Sequence, residues 1–419
     1  MARLIRFFMN YLCTQGVRVL QISCLLLLHI TQLPASLTAQ AFSPESNPLY
    51  VDPASYDFSE NPPLLERVAS SPHGYFRFIN LQFSKEVCRR FEHYFQGMPA
   101  LNLHGDAHLE QYAITDLGRG LTDFDDSSMG PAFIDLLRFG VSLRLACQES
   151  GWDDQSDQLF STFLLGYREA LNNSDAMIDE PEIARNIRAG YSSDRSKYLQ
   201  WAESQMSPMT ADARDSLAKA MQTYVDAMVE DNDHLKRNYF DFVKAGYLKM
   251  GIGSALDTKY LVRVRGKSKN PDDDVMLEIK EVRDISGIPC ILRTQKSDPF
   301  RVLLGQARIA YAPFEHLGYF YYQNKTFWVH SWVENYKEVK IGKTLSNVEQ
   351  LSEVAFDVGI QLGHGHTRNI ASPFDAQLRR SQLVLLAKTE KELRQAVIDL
   401  TDLTIEAWQA FRAKLGKGH

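Results

Sequence analysis

Acidic side chains are missing from the start of this chain: none precedes Glu45, whereas Arg3, Arg6 and Arg18 are present. Cysteine is scarce, with five in 419 residues, and no two are spaced C-x-x-C, which excludes a zinc ribbon. Basic charge is not in excess. The formal net charge of −6 argues against a general nucleic-acid binder, which needs a basic surface. After Leu33 the chain offers no apolar run of the roughly 20 residues that a membrane span requires.

What is present begins with a leader-like segment. Val19 to Leu33 is apolar and Ala35-Ser36-Leu37-Thr38-Ala39 supplies small residues at cleavage spacing. Residues 1–41 therefore read as a secretory signal cut near Ala39 or Ala41, with Met9 as an alternative start. Gln21, His29 and Gln32 interrupt the apolar run, so an uncleaved anchor is the lesser alternative. The body is expected in the periplasm or secreted, or N-terminally anchored outside the cytoplasm. Cys88, Cys147 and Cys290 remain after cleavage, enough for at most one bridge and one thiol. Hydrophobic content of 44% with 23% charged residues fits a globular body.

The chemistry is concentrated between Asn102 and Arg138, which holds His104, Asp106, His108, Glu110, Asp116, Asp123, Asp125, Asp126 and Asp135. Tyr112–Thr115 and Gly120–Phe124 read as strands joined by a turn at Gly118-Arg119-Gly120. Such a hairpin brings Asp106 and the Asp123–Asp126 cluster to one end. Clustered carboxylates repel, so they need a cation, a proton or a basic neighbour, and a divalent metal with oxygen ligands is the economical answer.

His104-Gly105-Asp106-Ala107-His108-Leu109-Glu110-Gln111 resembles the H-G-D-x-H-x-x-N catalytic loop of aminoglycoside-phosphotransferase-type kinases. Leu121-Thr122-Asp123-Phe124-Asp125-Asp126 resembles their I-D-F-D-D metal segment. The resemblance implies that Asp106 orients or deprotonates an acceptor hydroxyl and that Asp123, with Asp125, holds Mg²⁺ on the nucleotide phosphates. Gln111 stands where the family has asparagine, as a second metal ligand one methylene longer. With Gly130-Pro131-Ala132-Phe133-Ile134-Asp135-Leu136 and Phe76-Arg77-Phe78, the span also resembles the bacterial family called domain of unknown function 2252, over most of residues 70 to 370.

Composition shifts near Phe240. Lys259–Gly266 and Val275–Val282 alternate as strands, with a turn at Asn270–Asp274. The stretch from Leu248 carries Gly251, Gly253 and Ser254; such a turn lets backbone N–H groups approach phosphates. Lys280 on the next strand can reach the same phosphates, although a solvated strand lysine is the bland alternative. This pairing looks like the small lobe of a protein-kinase-like fold. Asp298–Tyr311 reads as the following helix, which offers no glutamate to Lys280; Gln306, Glu278 and Glu281 are the candidates in its place. Gly318–Gln323 and Thr326–Val333 are further strands, and Trp332–Asn335 sits where a lobe hinge binds an adenine edge. Helices are expected over Phe83–Gln96, Pro131–Ser150, Gln158–Leu171, Thr210–Arg237 and Ser346–His364, with closing helices over Gln377–Leu415.

The fold class is therefore α+β, a two-lobed kinase-like fold with the order of parts circularly permuted. Residues 42–72 form a loose lead-in, 73–239 a large helical lobe, 240–340 a small β-rich lobe, and 341–419 helices that pack back. Three functions compete. The first is a phosphotransferase using Mg²⁺ and ATP or another nucleotide on a small-molecule or protein hydroxyl. The second is a ligand-binding pseudoenzyme. The third is a metal-dependent hydrolase with His104, Asp106, His108, His364 and His366 as ligands for Zn²⁺ or Mn²⁺ and Asp123 as a bridge, Asp126 being a further candidate; hydrogen-bonded framework roles for His104 and His108 are the bland alternative.

Overall fold

The computed structural model describes residues 46–416, apart from 60, 96–97, 249–256 and 293–297. The leader-like segment 1–41 and the turn with Gly251, Gly253 and Ser254 lie outside the described residues. In chain order the body carries α1 (Pro62–Ser70), α2 (Pro72–Phe78), α3 (Asn80–Phe91), β1 (Leu101–Leu103), β2 (Tyr112–Thr115), β3 (Arg119–Leu121), β4 (Ser128–Gly130), α4 (Phe133–Ser150) and α5 (Ser156–Asn172). Next come α6 (Glu182–Ala189), α7 (Arg195–Ser204), β5 (Met206–Ser207), α8 (Ala211–Ala220), α9 (Gln222–Glu230), β6 (Phe242–Leu248), β7 (Lys259–Val264) and β8 (Val275–Glu281). The chain closes with α10 (Phe300–Ile309), β9 (Gly318–Tyr322), β10 (Lys325–Ser331), β11 (Tyr336–Glu338), α11 (Val348–Thr367) and α12 (Phe374–Leu415). Every strand pair is antiparallel, so the class is α+β. Among the described residues no helix is long and apolar enough to cross a membrane.

The six-stranded sheet, ordered β5-β6-β7-β8-β10-β9, is what positions the site. Side chains alternate across a strand, so each face has its own inventory. Tyr260, Val262, Leu277, Ile279, Phe327 and Val329 face one way and pack with Leu217, Met221, Tyr224 and Val225 from α8 and α9. Lys259, Glu278, Lys280, Trp328 and His330 occupy the other parity and line a cavity. The helices that cover the sheet thus come from upstream of the composition shift. The single helix expected over Thr210–Arg237 is instead two, broken at the fully buried Met221, and the bend seats both halves on the sheet.

The helical part is held by close backbone approach. A Cβ on Gly166 of α5 would meet the Phe356 carbonyl oxygen at 2.3 Å, and one on Gly359 of α11 would meet the Phe163 carbonyl oxygen at 2.2 Å. The closing helices are one 42-residue helix, α12. The lead-in is not loose from Asn47 onward: Leu49 and Leu64 are fully buried, and Tyr75 Oη donates to Leu49 O at 2.9 Å while accepting from Val51 N at 3.1 Å. Cys88 on α3 is bonded to Cys290, 202 positions away, and Cys147 is a buried thiol.

Candidate functional site

The acidic hairpin forms, but its turn is Thr115–Gly118, with Arg119 and Gly120 already in β3. Thr115 N donates to Gly118 O at 2.8 Å, and Thr115 Oγ1 accepts from Leu117 N and Gly118 N. β3 ends at Leu121 rather than Phe124, because Asp123 has φ +60°, the left-handed region that breaks a strand. That kink begins the acidic turn. Arg301, at the start of α10, donates to the carbonyls of Asp125, Ser127 (3.0 Å) and Arg283 (2.7 Å), so the turn is pinned through its backbone.

Lys280 meets this turn. Its Nζ lies 2.6 Å from Asp123 Oδ1 and 2.6 Å from Asp125 Oδ2. Trp328, its cross-strand neighbour, donates Nε1–H to Asp125 Oδ1 at 3.0 Å. Lys259 is its neighbour on the other side and is equally buried. Desolvation works to raise Asp123, but Lys280 and Lys259 outweigh it and hold the carboxyl well below the usual range. Burial and the Asp123 charge instead push Asp125 up to about 7 against the pull of the lysines. Two adjacent carboxyls are driven apart in this way, Asp123 toward the charged form and Asp125 toward the neutral one. Burial and Lys280 push the Lys259 ammonium down.

The cavity above them measures about 380 Å³. Trp328, His330 and Phe314 stack in series, with ring centroids 4.6 and 4.8 Å apart. Trp332, Val333 and Glu334 of the expected hinge also line the cavity, and Trp332 stacks on Trp201 at 5.1 Å. Glu278 shares the cavity face with Lys280 and lies 3.2 Å from His330 Nε2, whereas Glu281, of opposite parity, pairs with Lys325 at 2.7 Å. Gln306 does not line this cavity. The lysine's direct carboxylate partners thus come from the acidic turn and not from the helix that follows.

Asp106 sits in a separate, buried network. Arg138 lies 2.7 Å from its Oδ1, donates to Phe76 O at 2.9 Å, and rests over the Phe76 ring. Gln111 Nε2 donates to Asp106 Oδ2 at 3.4 Å, and His108 Nε2 lies 3.7 Å from the same oxygen. Burial pushes Asp106 up to about 6, with Arg138 opposing. The loop is hung from α4: Asp135 accepts from His104 N (2.7 Å) and Gly105 N (2.8 Å) and also lies 3.1 Å from His366 Nε2. Gly105, at φ +84°, has room for no side chain, since a Cβ there would meet Asp126 O at 1.9 Å. Asp126 is gripped by Arg283 at 2.8 Å, and Glu110 by Arg77 at 2.7 Å. Asp116 accepts from Asn335.

Three of the four candidate histidines face framework partners. His104 Nε2 lies 2.9 Å from Thr122 O, His364 Nε2 2.8 Å from Ala176 O, and His366 Nδ1 2.8 Å from Tyr167 Oη. His108 is enclosed beside His73, edge to face at 5.5 Å. Among the described residues no three His, Cys, Asp or Glu side chains are grouped to hold a metal ion. Hard oxygen donors suited to Mg²⁺ are present as a pair, Asp123 and Asp125; Gln111 is engaged at Asp106.

Sequence reasoning passed over Lys259, Arg138 and Arg301. Lys259 has the strand parity that would have flagged it, and Arg138 closes the acidic span itself. Arg301 carries no local signal, because its role is to hold carbonyls far along the chain.

No curated protein and no solved structure matches the chain. The sequence profile of one family, described as an uncharacterized protein conserved in bacteria (DUF2252), matches residues 62–200 and 188–414. The match takes in the acidic hairpin, Lys280 and the helices behind them, and the chain belongs to that family.

Proposed function

We propose that the chain is a permuted kinase-like protein that binds a nucleotide in the aromatic cavity and transfers its terminal phosphoryl group to a hydroxyl. One observation carries the reading: Lys280 lies 2.6 Å from both Asp123 and Asp125, in a cavity that the hinge-like Trp332–Glu334 also lines. Stacked aromatic rings suit a planar base, and the lysines suit phosphate oxygens. Asp123 and Asp125 would hold Mg²⁺, which supplies neutralisation of phosphate charge when bound. Asp106, with its Oδ1 fixed by Arg138, takes the role of orienting the acceptor hydroxyl. The Cys88–Cys290 bridge and the leader-like first 41 residues support a periplasmic or secreted location.

A second reading, binding without turnover, is favoured by Asp106 itself. It is outside the cavity wall and already paired with Arg138 and Gln111. Titration calorimetry of the protein with Mg²⁺ and ATP, then Mg²⁺ and GTP, tests the shared claim; no saturable heat with either removes both readings. Release or transfer of labelled terminal phosphate then separates them.

A further inference from the structure

A second cavity, about 680 Å³, opens between the C-terminal ends of α10 and α11 and the segment that follows α5. Four arginines line it. Two are neutralised: Arg119 by Asp357 at 2.8 Å and Arg379 by Asp375 at 3.0 Å. Arg308 and Arg368 are different. Among the described residues neither has a carboxylate at ion-pair distance, and Asp175 is the remaining acid in the wall.

A helix C-terminus attracts cations, which would be the plain account of this pair. Asn102 already does that work: its Nδ2 donates to the carbonyls of Gly365 at 2.8 Å and Arg368 at 3.2 Å, at the end of α11. Arg308 Nη1 donates only to the neutral Asn102 Oδ1, at 2.7 Å, and its Nε is buried with no acceptor. A buried donor left without a partner is costly to keep, which favours an acceptor there. Guanidinium groups pair in fork geometry with planar or tetrahedral oxyanions. Apolar side chains, among them Ile178, Ile309, Ile360 and Ile370, share the remaining wall with polar ones such as Gln361 and His364.

We propose that this cavity is a second ligand site, distinct from the nucleotide cavity, that takes a small organic oxyanion on an apolar body. Arg308 and Arg368 receive the phosphate or carboxylate, and the isoleucine wall receives the body. The proposal is independent of the nucleotide reading, because it shares no residue with that cavity.

The test is titration calorimetry of the full chain with phenyl phosphate and with phenylacetate. Binding is expected that is at least tenfold weaker in Arg368→Met and in Arg308→Met, whereas any heat that falls in Lys259→Met belongs to the nucleotide cavity. Arg368 is exposed, so Arg368→Met should melt at the wild-type temperature and report on binding alone. Tighter binding of phenyl phosphate assigns a phosphate ligand, and equal or tighter binding of phenylacetate assigns a carboxylate. Silence to both probes, or binding lost in Lys259→Met and kept in Arg368→Met, overturns the site.

Discussion

Lys259 and Lys280 stand directly opposite each other on neighbouring strands, an arrangement that ordinarily destabilises a sheet. Lys280 is held by two carboxylates, whereas burial and its neighbour both push Lys259 toward the neutral amine. If the proposed nucleotide site is right, Lys259→Met should weaken nucleotide affinity about tenfold, a loss of ~1.4 kcal/mol. Unchanged affinity by calorimetry would remove Lys259 from the site. Asp125 makes a pH prediction. Its carboxyl is raised from 3.8 to about 7 by burial and by Asp123, so the folded state holds a proton that the unfolded chain has released. The sign follows: this group's contribution is intact below about pH 4 and is lost as pH rises through about 7. Asp125→Asn, which cannot ionise, should gain melting temperature relative to wild type between about pH 5 and 8. Parallel melting curves across that range would show that Asp125 titrates normally.

Among the elements, α5 and α11 are the pair whose geometry leaves least room. Gly359 and Gly363 are one helical turn apart on α11, facing Gly166 and Ala170 of α5. A Cβ at Gly359 would fall 2.2 Å from a backbone oxygen, which no rotamer can relieve. Gly359→Ala should then cost about 1–3 kcal/mol or more despite its better helix propensity, read as a lower urea midpoint. A raised midpoint would mean that the helices can part. The sequence shows α11 clearly through its apolar stripe, yet gives no sign of what these glycines do, because the reason for Gly359 is the backbone of Phe163, 196 positions upstream. The same holds for the break at Met221: periodicity runs through it, and only the sheet beneath requires the bend. By contrast, β7, β8 and β10 were legible from alternation alone, and with them the side of the sheet on which Lys280 falls. The acidic turn was legible as a cluster of charges, but its shape depends on the backbone of Asp123 and on Arg301.

For the whole molecule the question is what keeps the sheet and the helical body closed over the cavity. Ionic contacts cross that junction at Lys280 and Arg283, and the Cys88–Cys290 bond ties α3 to the segment after β8. The ionic contacts hold only in the folded state, whereas the bond also constrains the unfolded chain. For a separation of 202 residues the loop-entropy estimate is about 5 kcal/mol, with measured bridges giving roughly 2–5 kcal/mol. The paired substitution Cys88→Ala with Cys290→Ala should lower unfolding free energy within that range while leaving the Cys147 thiol buried. Because the bond anchors on α3 the segment that leaves β8 and packs in the helical core, nucleotide affinity at the proposed site should fall together with stability, as closure becomes less favoured. Denaturant titration beside calorimetry reads both quantities. A stability loss with affinity fully retained would place the closing force in Lys280 and Arg283 alone.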